Sequence, residues 1–194
     1  MLLTPYECHE RIDYFGLEKP YIVASNLERA WYKRRGILNP ETVAQHQISA
    51  ALLCIKFREE ITRLWLNIQI IQDTLLIHDI AEPDVRVTDR TPHDIYDPHQ
   101  HRRNEEAVIK EILRNNPRLV ELWLDYEDGR TPEWKFSMEI DKLQAIERSR
   151  FYQDQYDIPW LTEEFFIYSA VQKKQIITPF LYLYAVELFD NKPR

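Results

Sequence analysis

The stretch NPETVAQHQISAALLCIK, residues 39–56, contains the strongest helix signal in the chain and places a histidine inside it. Asn39 is a suitable N-cap, and Pro40 suits the first helical position because its ring fixes φ. Apolar residues then recur every three or four positions, as on the buried face of a helix. The pattern predicts a helix from Pro40 to about Glu60, with His46 in its second turn.

The segments that follow alternate between helix signals and prolines. An apolar series over residues 66–77 predicts a helix that ends near His78 and Asp79, before Pro83. Residues 83–101 contain three prolines and no sustained period, which predicts a long loop.

Helix signals resume after this loop. They cover residues 104–115, residues 118–127, a run capped by Thr131 and opened by Pro132 that continues through Ile146, a helix after Pro159 with Thr162 as its cap, and a last helix from Thr178 and Pro179 to Leu188. Only 3 glycines occur in 194 residues, and tight strand connections usually need glycine. The sequence therefore predicts an all-α fold.

The composition restricts the partners of the protein. The net charge is −7, so broad binding to nucleic acid or to an anionic membrane surface is not expected. Cys8 and Cys54 are the only cysteines, which favours a reducing compartment over a disulfide framework. No secretory signal or membrane-spanning run is visible, so we expect a cytoplasmic protein.

Four side chains form the strongest chemical signal. His46, His78, Asp79 and Asp141 would come from three helices, and His78 and Asp79 can reach one ion together only at a helix end, because neighbours on a helix diverge by about 100°. Two neutral imidazoles and two carboxylates balance one divalent cation, such as Mn, Fe, Co, Ni, Zn or Mg. Taken singly, a histidine on an amphipathic helix is usually an ordinary core residue.

Three segments resemble the HD-domain 5′-deoxynucleotidase family. Residues 38–46, LNPETVAQH, resemble its NPE(S/T)VAxH segment, and residues 76–82, LIHDIAE, resemble its LxHDxxE segment. Residues 122–144 resemble its LWxEYE, TPE and xDKLE elements in the same order. The resemblance covers about residues 27–153.

The resemblance implies one HD domain over residues 1–194, a helical bundle with a mononuclear divalent metal site. Residues 154–194 would then be C-terminal helices that complete the bundle or form a dimer interface. It also implies that His46, His78, Asp79 and Asp141 bind the metal and that the protein is a homodimer.

The resemblance further implies that Glu82 is a catalytic carboxylate. It lies four residues after His78, which would place both on one helix face. The alternative is a solvated surface acid or a capping residue. The family tends to have a Gly-Asp pair about five residues beyond this Glu, and the Asp of that pair helps catalysis. This chain has Val87 at that position. We expect Asp89 to take that role, with Asp84 as the second choice.

Substrate-binding candidates precede the first histidine. The family uses an Arg and a Trp in this region to contact the phosphate and to close off the sugar 2′ position, which points here to Arg29, Trp31 and Arg35. An arginine suits a phosphate because its guanidinium forms paired hydrogen bonds. If the segment is helical, Trp31 and Arg35 align and Arg29 diverges. A solvated basic patch beside a buried Trp is the alternative.

The expected activity is hydrolysis of a nucleotide phosphate ester, a deoxynucleoside 5′-monophosphate above all. One alternative is an HD hydrolase acting on a nucleoside triphosphate or on a cyclic or alarmone nucleotide. Another is a metal-binding interaction protein that has lost catalysis. The phosphate species released from each nucleotide distinguishes these three.

Overall fold

The computed structural model describes residues 18–89 and 97–190. These residues form helices and contain no β-strand, which confirms the all-α prediction. The helices are α1 Glu18–Ala24, α2 Ala30–Lys33, α3 Val43–Lys56, α4 Arg58–Arg63, α5 Ile68–Ile77, α6 Pro98–Ile112, α7 Pro117–Asp128, α8 Pro132–Tyr156, α9 Leu161–Phe166, a π-helix Ile167–Gln172 and α10 Pro179–Asp190. Within the described ranges, no helix is long and apolar enough to cross a bilayer.

Helix α3 begins later than the sequence predicted, because Thr42 rather than Asn39 caps it. The Thr42 backbone N–H donates to Gln45 Oε1 at 2.9 Å, and the Gln45 backbone N–H donates to Thr42 Oγ1 at 3.3 Å. This reciprocal pair is a capping box. The prediction that one helix continues to Glu60 was also wrong, since Phe57 separates α3 from α4.

The starts of α8, α6 and α9 show where the capping signals in the sequence predict a helix correctly and where they do not. Thr131 accepts a hydrogen bond from the Trp134 backbone and starts α8 as predicted. The predicted loop is too long at its end, because Asp97 caps α6 and Pro98 is its first residue. The Thr162 cap was wrong: α9 begins at Leu161, and Thr162 is buried inside it.

A short backbone pairing holds the chain before α3. Glu28 and Thr42 form an isolated antiparallel bridge. The Arg29 N–H donates to the Glu41 carbonyl at 3.0 Å, and the Val43 N–H donates to the Leu27 carbonyl at 2.8 Å. The bridge fixes the position of Arg29 next to the start of α3.

The chain divides into two compact units, each with its own core. The first unit comprises the described residues of Met1–Gln45 and Ile77–Leu124, and the second comprises those of His46–Leu76 and Asp125–Arg194. The core of the first unit contains buried side chains from α6 and α7 and from the segments that follow α5 and α6, among them Ile80, Val87, Ile109, Leu113 and Trp123.

In the second unit, the long helix α8 packs against α9 and α10. Its residues Ile140, Leu143 and Ile146 are fully buried. The rings of Phe166 and Phe189 stack at 4.9 Å. The predicted C-terminal helices are therefore present through residue 190. Cys8, one of the two cysteines of the sequence, lies outside the described residues.

Candidate metal centre

His78 and Asp79 follow directly after the last residue of α5, as predicted for two neighbouring ligands. His78 is buried, and its Nε2 lies 3.4 Å from Asp79 Oδ2. The backbone carbonyl of His78 accepts a hydrogen bond of 3.1 Å from the Trp123 indole N–H. Because carbonyls in the last turn of a helix have no partner within it, this bond fixes the peptide that joins the two residues.

His46 and Asp141 lie together in the interior of the second unit. His46 Nε2 is 3.0 Å from Asp141 Oδ1, and His46 Nδ1 is 2.5 Å from Gln144 Oε1. The Lys142 ammonium contacts the other Asp141 oxygen at 2.6 Å. Both ring nitrogens of His46 therefore face oxygen atoms of α8.

These side chains fit a divalent cation. His46, His78 and Asp79 are a group that could hold a metal ion. Two ligands that each lie about 2.1 Å from an ion, at a right angle, are about 3.0 Å apart. The separation of His46 Nε2 and Asp141 Oδ1 equals this value, so the pair can occupy adjacent coordination positions.

Glu82 does not reach its position in the way the sequence argument assumed. Helix α5 has already ended at Ile77, so Glu82 is not stacked one helical turn after His78. Instead its backbone N–H donates to the Asp79 carbonyl in a turn, at 3.0 Å. This turn directs the Glu82 carboxylate toward the Arg29 guanidinium.

Arg29 lies among three carboxylates of the first unit. Its Nη1 is 2.9 Å from Asp79, 3.1 Å from Glu82 and 3.7 Å from Asp89. The Asp89 carboxylate also accepts the backbone N–H of Ala30. The structure thus brings together a predicted ligand, both predicted catalytic acids and one predicted phosphate-binding residue.

Asp84, the second choice for the loop acid, lies elsewhere. Its carboxylate binds the Arg86 side chain at 2.7 Å, and Arg86 also contacts Glu111. The hydrogen bonds from Arg86 lower the pKa of Asp84. Val87 is fully buried in the apolar core. Among the acids of this loop that the structure describes, Asp89 is therefore the one that lies beside Arg29.

The environment of Glu82 favours its protonated form. Burial, and then the negative charge of Asp79, raise the pKa of the Glu82 carboxyl well above its usual range, while Arg29 acts in the opposite direction. A carboxylate with a raised pKa is a stronger base than an ordinary glutamate and accepts a proton more readily.

Trp31 and Arg35 align as the helical spacing predicted, although α2 itself covers only Ala30–Lys33. The Arg35 guanidinium lies 4.9 Å from the centre of the Trp31 ring, and it donates a hydrogen bond of 3.0 Å to the Trp31 carbonyl. One face of the indole is therefore covered by a cation.

Sequence reasoning missed Gln144 and Trp123, which contact the proposed ligands. A signal for Gln144 was available, because it lies three residues after Asp141 on the same helix and so shares its face. The contact between Trp123 and His78 joins residues that are distant in sequence, and no local pattern predicts it.

A family model for the HD domain matches residues 26–178. The chain belongs to the HD-domain family. This HD-domain protein is 28% identical to the 5′-deoxynucleotidase HDDC2 of Homo sapiens over 149 residues, 73% of this chain and 69% of that one. It is also 28% identical to the 5′-deoxynucleotidase hdd1 of Schizosaccharomyces pombe, over 66% of this chain and 67% of that one.

The fold of this HD-domain protein also occurs in solved structures. A conserved hypothetical protein from Pyrococcus furiosus matches with a TM-score of 0.71 and 22% identity, over 89% of this chain and 96% of that one. At this identity the likeness shows a common fold.

Proposed function

We propose that this HD-domain protein is a metal-dependent phosphohydrolase that converts deoxynucleoside 5′-monophosphates to deoxynucleosides and inorganic phosphate. The observation that carries the proposal is the position of Arg29. Its guanidinium, a group that suits phosphate binding, forms ion pairs with the carboxylates of Asp79, Glu82 and Asp89. The names of the curated relatives support the choice of a deoxynucleotide.

The proposed metal ligands are His46, His78, Asp79 and Asp141. Their mixed nitrogen and oxygen donors favour a transition-metal dication over Ca. A divalent ion bound there would lower the pKa of a water molecule and polarise a phosphoryl oxygen.

Glu82 is the proposed proton acceptor for the attacking water. Its carboxylate is largely buried, at 14% side-chain exposure, and is held by Arg29. Burial and the negative charge of Asp79 raise its pKa, which makes this carboxylate a stronger base than an ordinary glutamate. Asp89 has the proposed role of orienting Arg29, because it binds both the Arg29 side chain and the backbone of Ala30.

Arg29 is the proposed phosphate-binding residue. A guanidinium carries five N–H donors in a fork that matches phosphate oxygens, and Arg29 holds this group beside Asp79 and Glu82. A phosphate bound by Arg29 would lie near Glu82, where the water must lose its proton.

Trp31 is the proposed sugar-contacting residue, and Arg35 supports it. Arg35 fixes the indole by covering one face and by bonding its backbone. A fixed indole plane against the sugar leaves no hydrogen-bond partner for a 2′-hydroxyl, so ribonucleotides would bind less well.

The experiment is a product assay with chelator-treated protein reloaded with Mn, Co, Zn or Mg. We expect inorganic phosphate from deoxynucleoside monophosphates and slower release from ribonucleoside monophosphates. Pyrophosphate or triphosphate from nucleoside triphosphates, or opening of a cyclic nucleotide, would replace this proposal with the alternative hydrolase. Absence of turnover with every metal would indicate a binding protein.

Two matched aspartates of one loop test the assignment of the acids. Asp89→Asn is expected to lower kcat/KM strongly, whereas Asp84→Asn should leave it within a factor of about 2, since exposed ion pairs contribute little. Glu82→Gln should lower kcat by about 10²- to 10⁴-fold while the metal still binds. Equal effects of Asp84→Asn and Asp89→Asn would contradict the assignment.

We also propose a cytoplasmic homodimer. The exposed side chains of Ile48, Leu52 and Ile55 follow one another at helical spacing along α3, which gives an apolar surface that a second copy would cover. The dimer is tested by measuring the molar mass of the wild type and of Leu52→Lys by light scattering. A wild-type protein with the mass of a single chain would exclude the dimer.

A further inference from the structure

His46 and Gln144 face each other in the interior of the second unit. Each is 1% exposed, and His46 Nδ1 lies 2.5 Å from Gln144 Oε1. The other ring nitrogen, Nε2, lies 3.0 Å from Asp141 Oδ1. The position of the ring is therefore fixed from two sides by α8.

The contact with Gln144 determines which nitrogen is available to a cation. A neutral imidazole carries one proton, and only the nitrogen without that proton can bind a metal. An amide oxygen accepts hydrogen bonds and cannot donate them. A hydrogen bond from Nδ1 to Gln144 Oε1 requires the proton on Nδ1, which leaves the lone pair of Nε2 on the side of Asp141.

Helix α8 supplies both the ligand and the orienting group. Asp141 and Gln144 lie three residues apart within the helix Pro132–Tyr156 and so share one face. Lys142 contacts the other oxygen of Asp141, at 2.6 Å, which offsets the charge that would otherwise draw the proton to Nε2.

We propose that Gln144 is a positioning residue that holds His46 in the tautomer with the proton on Nδ1 and thereby presents Nε2 to the metal. The inference rests on the proposed metal-dependent function. Its competitor has the amide turned over, so that the amide group donates to Nδ1 and the proton lies on Nε2, where it blocks the cation.

Metal affinity of three variants, measured by calorimetry on full-length protein, tests the proposal. Gln144→Met removes the acceptor at similar volume, and we expect the dissociation constant for Mn or Zn to rise by about 10- to 100-fold. Gln144→Glu keeps an acceptor and should bind at least as tightly as the wild type.

The matched control is Gln153→Met. Gln153 is a buried glutamine of the same helix, and its amide oxygen also accepts a hydrogen bond, from the Thr162 backbone at 3.1 Å. We expect this variant to unfold at a lower temperature and to keep the wild-type metal affinity. An equal loss of affinity in Gln144→Met and Gln153→Met, or no loss in Gln144→Met, would overturn the proposal.

The tautomer is measured directly by the ¹⁵N resonances of His46 in metal-free wild-type protein, at a pH where imidazole is neutral. A proton on Nδ1 supports the proposal, and a proton on Nε2 overturns it, even where a variant fails to fold. A protein that binds metal in this way but hydrolyses no nucleotide would refute the proposed function and leave the role of Gln144 intact.

Discussion

Replacing Glu139 by leucine is expected to destabilise the second unit strongly. Glu139 is 2% exposed, and its carboxylate accepts three hydrogen bonds at the start of α10. The donors are the Ile177 backbone at 3.0 Å, the Thr178 backbone at 2.7 Å and the Thr178 hydroxyl at 3.1 Å. Glu139 of α8 thus holds in place the two residues that precede α10.

The size of the effect follows from these three bonds. A hydrogen bond to a charged group contributes about 1.5–3 kcal/mol, and burying the carboxylate offsets part of that sum. Glu139 lines an open cleft of about 330 Å³, so water can reach the donors that the variant leaves behind. We expect a loss of about 3 kcal/mol for Glu139→Leu and about 1 kcal/mol for Glu139→Gln, which keeps one acceptor oxygen.

The assay is urea unfolding followed by circular dichroism, together with the thermal midpoint. For a chain of this length, a loss of about 3 kcal/mol lowers the midpoint by about 6–12 °C. The control is Glu147→Gln, which changes another α8 carboxylate that binds α10, through the Tyr184 hydroxyl, but that is 38% exposed. A Glu139→Leu protein within about 0.5 kcal/mol of the wild type would refute the reasoning.

Three further outcomes are expected. Trp123→Phe removes the indole N–H from the His78 carbonyl, and calorimetry should show metal binding weakened by about 10-fold. Burial raises the pKa of the Cys54 thiol to about 12, so in a Cys8→Ser protein a thiol reagent should react only after unfolding in urea. The raised pKa of Glu82 means that the folded protein holds this proton more tightly than the unfolded chain. That contribution to stability is full below the unfolded pKa and is lost as the pH rises through the folded pKa, so Glu82→Gln should flatten the curve of urea stability against pH in metal-free protein.

Each of these outcomes has a control. Trp160→Phe changes a half-exposed tryptophan and should leave metal affinity unchanged, so an equal effect would argue against the role of Trp123. Native Cys54 that reacts as fast as unfolded Cys54 would contradict its burial. Parallel stability curves for the wild type and Glu82→Gln would show that the Glu82 pKa is the same in both states.

Helix starts were predictable where an N-cap residue directly precedes a proline at the first helical position. Thr131 before Pro132 satisfies a backbone donor within one turn, so α8 begins as expected. The sequence pattern predicts a loop at Pro98. Asp97 nevertheless caps the helix that begins there, as Thr131 does before Pro132. Asn39 satisfied the same rule as Thr131, but the capping box of Thr42 and Gln45 starts the helix later.

The local signals were less informative for the site. The sequence identified Arg29, Glu82 and Asp89 individually, but their ion pairs join residues more than fifty positions apart. Glu82 would stack on His78 only in a helix that continued past Ile77, where α5 ends. Contacts of this kind depend on turns and tertiary packing, which side-chain spacing does not encode.

The bond from Trp123 to the carbonyl of His78 has a mechanical consequence. That carbonyl belongs to the peptide plane between His78 and Asp79, so both proposed ligands are attached to one rigid plate. Any rotation of this plane moves the Cα atoms of both residues together. The indole therefore holds the backbone of two of the four proposed ligands at once, and loss of its hydrogen bond would loosen His78 and Asp79 together.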